Sequence, residues 1–275
     1  MKKIVTLTLG TLLLSSALLT QNTVYATNQT GSSGAITHTI INENNNHALG
    51  DLIKQNGPAY FADESGISAA ETGRPAKDFI DISSNNGSIS KDEFQLMKNQ
   101  YGIKGVIVKL TEGDSYRNPL APEQIANAQA AGLKVSVYHF SWFANPQEAA
   151  EEATYFMNYA KELKLAQNTS FVNDYESVNS PNATSNALKF ADTLKAAGFK
   201  NIYHYSSKSW FSSVLDMTKL GAKTCWVAEW PLNPSNEQLL HTGNASWQWA
   251  SDLYFPELGR TRQFDISTDY LNAFS

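Results

Sequence analysis

The stretch PEQIANAQAAGLKVSVYHF, from Pro122 to Phe140, decides the fold class. Its first half is rich in alanine and glutamine, opens on a proline and ends at Gly132. Proline suits the first turn of a helix, where its missing N–H has no partner anyway, and glycine suits the residue just past the last turn. The second half is dense in β-branched and aromatic residues and reads as a strand. The same alternation extends to both sides. Strands are expected at 79–83, 105–110, 133–140, 170–175, 201–205, 224–229, 246–250 and 262–266, and helices at 91–101, 122–131, 146–163, 182–197 and 208–215. After the sixth strand the connections look too short or too rich in proline and asparagine for a crossover helix. Parallel neighbours need a crossover of about a dozen residues or more, whereas antiparallel ones do not. The expectation is therefore an α/β fold: a single TIM-like βα barrel of eight strands and about five helices, its last strands partly antiparallel. A doubly wound open sheet is the alternative.

The chain has 275 residues, 26 of them acidic and 21 basic, for a net charge of −5. An acidic chain gains little from counterion release, so no nucleic-acid partner is expected, nor a polybasic contact with a membrane surface. Cys225 is the one cysteine, which excludes an intrachain disulfide; in its strand-like setting it reads as a small buried apolar residue. Lys2 and Lys3, the apolar run from Ile4 to Leu19 and the segment Val24-Tyr25-Ala26 have the layout of a secretory signal peptide, residues 1–26. Residues 27–76 are polar and show neither helical nor strand periodicity, as in a disordered leader or linker. Residues 77–275 are left as the barrel domain. The expected mature protein is extracellular, monomeric and without stable membrane association.

The densest chemistry lies in Phe171-Val172-Asn173-Asp174-Tyr175-Glu176. Residues two apart on a strand point to the same side, so Asp174 and Glu176 project together at the carboxyl end of a strand, where barrel enzymes keep their catalytic groups. Neighbouring carboxylates repel, which raises the proton affinity of at least one. A carboxyl that keeps its proton near neutral pH is what a glycosidase needs to protonate a leaving oxygen. Taken alone, D-x-E is more simply a solvated strand end. It is not alone, because Asp81, Glu112 and Asp265 stand near the ends of the first, second and eighth strands. In a closed barrel the first and eighth strands are neighbours, so Asp81 and Asp265 share a rim. Aromatic side chains crowd the same ends: Tyr138, Trp142, Tyr175, Tyr205, Trp226, Trp230, Trp247 and Trp249. Sugar rings stack their C–H faces on such rings, although any single one is more simply core. Gln248 either binds a ligand or satisfies backbone groups. His38, His47, His139, His204 and His241 show no metal-ligand spacing, and no metal or cofactor is expected. His139 reads as a hydrogen-bonded core residue.

Seven segments in order carry a resemblance: Asp81 to Gly87, Val106 to Gly113, Ala131 to Phe140, Asn173 to Glu176, Trp226 to Trp230, Trp247 to Trp249 and Phe264 to Ser267. Together they resemble glycoside hydrolase family 25, the Chalaropsis-type lysozymes. The resemblance implies a βα barrel with irregular final strands and hydrolysis of the β-1,4 bond between N-acetylmuramic acid and N-acetylglucosamine in peptidoglycan. Carried over by motif, Glu176 is the general acid, Asp174 its partner, and Asp81 and Asp265 complete the acidic cluster. Lys109, Glu112, Tyr138, Tyr175, Tyr205, Trp230, Trp247 and Gln248 are the substrate-binding candidates. Family members retain anomeric configuration, and adjacent acids favour assistance by the substrate's own N-acetyl oxygen. The family's D-[VIL]-E is D-Y-E here, and its middle residue is expected to face away from the pocket. D-L-N of the last strand is Asp265-Ile266-Ser267, and the Trp230 position is often tyrosine. No wall-binding repeat is seen after the barrel in this sequence. A catalytically inactive glycan-binding barrel and a hydrolase of chitin-type glycans are the alternatives.

Overall fold

The computed structural model describes residues 66–275; the expected signal peptide and residues 27–65 of the expected leader lie outside them. Six strands line up in parallel: β1 (Phe79–Ile82), β2 (Gly105–Glu112), β3 (Lys134–Phe140), β4 (Ser170–Asp174), β5 (Asn201–Ser207) and β6 (Cys225–Ala228). β7 (Ser246–Tyr254) adds parallel to β6, and β8 (Gln263–Asp269) runs antiparallel to both β7 and β1, which closes the ring. The fold is thus a closed, mixed eight-stranded barrel rather than an open sheet. Direction reverses where the connections shorten, since only a hairpin fits between β7 and β8.

Among the described residues six α-helices lie outside the ring where about five helices were expected: α1 (Lys91–Tyr101), α2 (Ala121–Ala130), α3 (Pro146–Glu162), α4 (Ala183–Ala196), α5 (Lys208–Ser213) and α6 (Met217–Leu220). Local chemistry sets their ends. Ser90 and Glu93 form a reciprocal capping box on α1, and Asn145 caps α3 by accepting from the backbone N–H groups of Gln147 and Glu148. Gly102 ends α1 in the left-handed conformation, with φ of 78°.

The wall of the barrel separates two apolar layers. Outward-facing residues of the strands, such as Ile80, Val108, Phe171, Val227 and Ile266, pack under the helices in the larger layer. Phe79, Ile107, Tyr138, Val172, Tyr205 and Trp226 fill the inside. Phe274 plugs the amino-terminal end of the barrel, its ring centroid 5.1 Å from that of Phe79, 4.7 Å from Tyr203 and 5.7 Å from Trp226. Asp269 holds that plug by accepting from the backbone N–H groups of Ala273, Phe274 and Ser275. Gly105 makes room for it: a Cβ there would lie 1.9 Å from the carbonyl oxygen of Phe274. With this end filled, the opening is at the carboxyl ends of β1–β6.

Residues 66–76 differ from the linker expected of them. Ile67 and Ser68 pair in parallel with Leu253 and Tyr254 of β7, Ala69 is buried in the outer layer, and Arg74 binds Glu71, Asn233 and the carbonyl of Pro234. A two-residue strand carries too little periodicity to be read in advance. Among the described residues no helix is long and apolar enough to cross a membrane.

Candidate active site

Alternation along β4 carries Val172, Asp174 and, just past the strand, Glu176 to the inside, while Phe171, Asn173 and Tyr175 go outside. The pleat continues beyond the strand end because the backbone N–H of Tyr175 donates to the Tyr205 carbonyl, at 3.0 Å, and the Ser206 hydroxyl to the Tyr175 carbonyl, at 2.7 Å. On the adjoining part of the wall, Asp81 of β1 and Asp265 of β8 are direct cross-strand partners. All four carboxyl residues are buried.

Two phenols sit among these acids. Burial first, then the charges of Asp174, Asp81, Asp265 and Glu176, push the Tyr138 hydroxyl well above the usual range. Burial and the same four charges, Glu176 foremost, do this to Tyr205. Both therefore remain protonated donors. Tyr205 donates to Gln248 Oε1 at 2.8 Å. The Tyr138 hydroxyl and Asp174 Oδ1 are buried without a hydrogen-bond partner among the described residues. Burial and the neighbouring charge of Glu176 hold the Asp174 carboxyl well above the ordinary carboxylate range, against the lowering effect of Lys109.

Lys109, fully buried on β2, is tied to Glu112 Oε2 at 2.5 Å and lies 4.8 Å from the ring centroid of Phe140. The other oxygen of Glu112 accepts from Trp142 Nε1 at 3.0 Å. Trp230 Nε1 donates to Gln248 Oε1 at 3.2 Å, and Gln248 Nε2 to Asp81 Oδ2 at 2.9 Å. Lys109, Glu112, Tyr138, Tyr205, Trp230 and Gln248 thus line or frame one mouth with the four acids.

Two candidates do not. Tyr175 is fully buried in the outer layer, its ring 5.0 Å from Phe143 and 6.0 Å from Trp210. Trp247 is fully buried there too and gives its indole proton to the carbonyl of Glu229, at 2.7 Å. Each stands at an odd step beside an inward residue, so the pleat turns it away from the opening. Trp142, named with the aromatics at the strand ends, was left out of the substrate-binding candidates. It is 38% exposed and continues the inward series Tyr138, Phe140, Trp142, which is the pattern that points to it. Beside it opens a cavity of about 460 Å³ bounded by Glu112, Tyr116, Trp142, Glu148, Glu151 and Glu152.

His139 lies on the outer side, bonded to Thr111 and Glu152 at 2.8 Å each, with its ring against Phe156 and Phe190. Burial pushes the Cys225 thiol up to about 12, which leaves it no nucleophile. Among the described residues no group of three or more histidines, cysteines and carboxylates is arranged to hold a metal ion.

A closed barrel with carboxyl groups and aromatic walls at the carboxyl ends of its strands has the layout of a barrel glycosidase. The comparisons agree, and the chain belongs to the glycosyl hydrolases family 25, whose family model matches residues 80–258. It is 30% identical over 199 residues to a lysozyme of Streptococcus phage Cp-9, covering 70% of this chain and 51% of that protein. An autolytic lysozyme of Clostridium acetobutylicum is 28% identical over 167 residues, covering 60% of this chain and 48% of that protein. The chain thus spans about half the length of the curated relatives it matches. Among solved structures, the modular Cpl-1 endolysin complexed with a peptidoglycan analogue aligns with a TM-score of 0.54 at 25% identity, covering 72% of this chain and 55% of that one.

Proposed function

We propose that this protein is a lysozyme that hydrolyses the β-1,4 bond between N-acetylmuramic acid and N-acetylglucosamine in bacterial peptidoglycan, with Glu176 as general acid. The observation that carries the reading is the pairing of Asp174 and Glu176 on one inner face of the barrel mouth, with Asp81 and Asp265 on the adjoining wall. The lysozyme names of the curated relatives and the peptidoglycan analogue bound by the Cpl-1 endolysin give the substrate class.

In this reading the Glu176 carboxyl gives its proton to the leaving oxygen of the N-acetylglucosamine unit. The two acids come from one strand end, two residues apart, rather than from opposite walls of the cleft, which favours attack by the N-acetyl oxygen of the muramic acid on its own anomeric carbon. Asp174 orients that acetamido group, and its high proton affinity suits a carboxyl that exchanges hydrogen bonds with an amide during the step. Water activated by the Glu176 carboxylate then reopens the ring. Two inversions give net retention. Asp81 and Asp265 stabilise positive charge at the reacting centre. The protein is exported through residues 1–26 and acts as a monomer on the wall.

The test is incubation of the full chain with purified peptidoglycan, beside Glu176→Gln, with mass spectrometry of the new ends. Reducing-end muramic acid formed by the wild type and not by the variant is expected; uncut glycan strands with both would overturn the reading. A glycosyl ester trapped on an aspartate would replace N-acetyl assistance with a protein nucleophile. A secreted protein whose amino terminus is Thr27 is the expected product of export.

A further inference from the structure

Gln248 is fully buried on β7, next to β8, yet its side chain touches β1. Its amide oxygen receives two protons, from the Tyr205 hydroxyl at 2.8 Å and from Trp230 Nε1 at 3.2 Å. An indole N–H can only donate, so the amide oxygen must face Trp230. That fixes the flip of the amide, and its N–H must point to Asp81 Oδ2, 2.9 Å away. One side chain thereby joins β5, the segment after β6 and β1 across the closing seam of the barrel.

We infer that Gln248 is a positioning residue for the reaction: it ties the Trp230 wall of the cleft to Asp81 and keeps Asp81 Oδ2 as an acceptor. This rests on the proposed hydrolysis, in which Asp81 faces developing positive charge. The groups in and around the network are the carboxyls of Asp81, Asp174, Glu176 and Asp265, with the Tyr138 and Tyr205 hydroxyls among them. Lys109 on β2 is the nearby cation, tied to Glu112. In this acidic mouth a proton on Asp81 would relieve repulsion between carboxylates. The Gln248 amide opposes that at Oδ2, because a protonated oxygen there would meet an N–H instead of accepting from it. Glutamine is suited to the place. A methionine of similar length is at best a weak acceptor for the two donors and gives Asp81 no proton to accept, whereas a glutamate accepts both donors and gives Asp81 an O–H only while it stays protonated.

The experiment compares full-chain wild type, Gln248→Met and Gln248→Glu for kcat and KM on peptidoglycan between acid and alkaline pH, and follows the Trp230 indole N–H by NMR, assigned with Trp230→Phe. The methionine variant is expected to lower kcat by roughly tenfold to a hundredfold, the effect of a displacement of about 1 Å in a reacting group. The glutamate variant is expected to approach wild type at low pH, where its proton still bridges to Asp81. It then falls as that proton leaves, so the alkaline limb of kcat moves to lower pH and the Trp230 resonance moves with it. A glutamate profile of wild-type shape, or an unshifted Trp230 resonance in the methionine variant, overturns the inference. If the wild type cuts no peptidoglycan the hydrolase reading fails instead, and the Trp230 resonance still decides whether the brace exists.

Discussion

Asn173 and Asp174 are neighbours on β4, both buried, and face opposite sides of the barrel wall. The outward Asn173 is partnered at both ends of its amide: its oxygen accepts from the Ser141 hydroxyl at 2.6 Å and its nitrogen donates to His204 Nδ1 at 3.2 Å. The inward Asp174 has one oxygen with no hydrogen-bond partner among the described residues and a carboxyl that resists ionisation. Buried polar groups are ordinarily satisfied, because an unmade bond costs about 1–3 kcal/mol. Asn173, on the outer side, obeys that rule and contributes to stability. The inner mouth departs from it where a ligand would supply the missing partner. The difference teaches that one strand serves both ends, with side chosen by parity.

The largest expected effects come from the inner side. Glu176→Gln removes the proposed proton donor and should lower kcat on peptidoglycan by about 10²–10⁴. Asp174→Asn should also cut activity but raise stability at neutral pH. The folded carboxyl titrates above its ordinary value of 3.8, so burying the ionised form opposes folding at pH 7, and stability is lost as pH rises through this range. The gain should fade below about pH 4, where aspartate is protonated in both states, and urea unfolding at pH 3 and 7 measures it. A variant less stable at pH 7 would break the contrast between the faces.

Tyr175→Ala tests the other side one residue away. Its ring packs against Phe143 and Trp210 outside the wall. Truncation should cost about 3–5 kcal/mol, as for large buried aromatics, while activity per folded molecule is retained. Lost activity with unchanged stability would return Tyr175 to the cleft.

The outer layer also makes a pH prediction. His204 is neutral because burial lowers it to about 4, and its neutral Nδ1 accepts from the Asn173 amide at 3.2 Å. The folded value lies below the unfolded one, near 6.5, so this stability is complete above pH 6.5 and is lost as pH falls toward about 4. The interval amounts to about 3 kcal/mol. His204→Gln keeps an acceptor without titrating and should flatten that part of the stability profile. His139, lowered chiefly by burial, keeps the same sign in the variant. An unaltered slope would show that His204 binds its proton equally well in the folded and unfolded states.

Parity also explains how much was legible in advance. Strands with alternating apolar residues announced both the barrel and the inward step of Asp174 and Glu176. Asp81 and Asp265 became a pair once ring closure made β1 and β8 neighbours, which their positions in the chain implied. Trp247 was misplaced where residue type outweighed the step, and Tyr175, counted with the binding candidates for its type, follows the outward step its place between the acids predicted: each aromatic sits beside an inward polar residue, Asp174 or Gln248, and belongs to the core beneath the helices. Residues 66–76 were beyond reading for another reason. Their two-residue strand exists only because β7 offers an edge at Leu253 and Tyr254, a partner distant in sequence.

The smallest effect extends the parity argument past the end of a strand. Trp142 continues the inward series of β3, is 38% exposed, and is held by Glu112 Oε1 at 3.0 Å, while Glu112 holds the buried Lys109. A ring so anchored at the rim should stack on a sugar two or more positions from the cut. Trp142→Ala should then raise KM about threefold to tenfold, as expected for one aromatic contact, with kcat kept. Trp142→Phe separates two contributions, since it retains the face and loses the N–H to Glu112. A phenylalanine variant with wild-type KM assigns the effect to stacking alone; one that matches alanine shows that the Glu112 bond sets the angle of the ring. A fall in kcat in either variant would place Trp142 beside the reacting bond, among the inner groups.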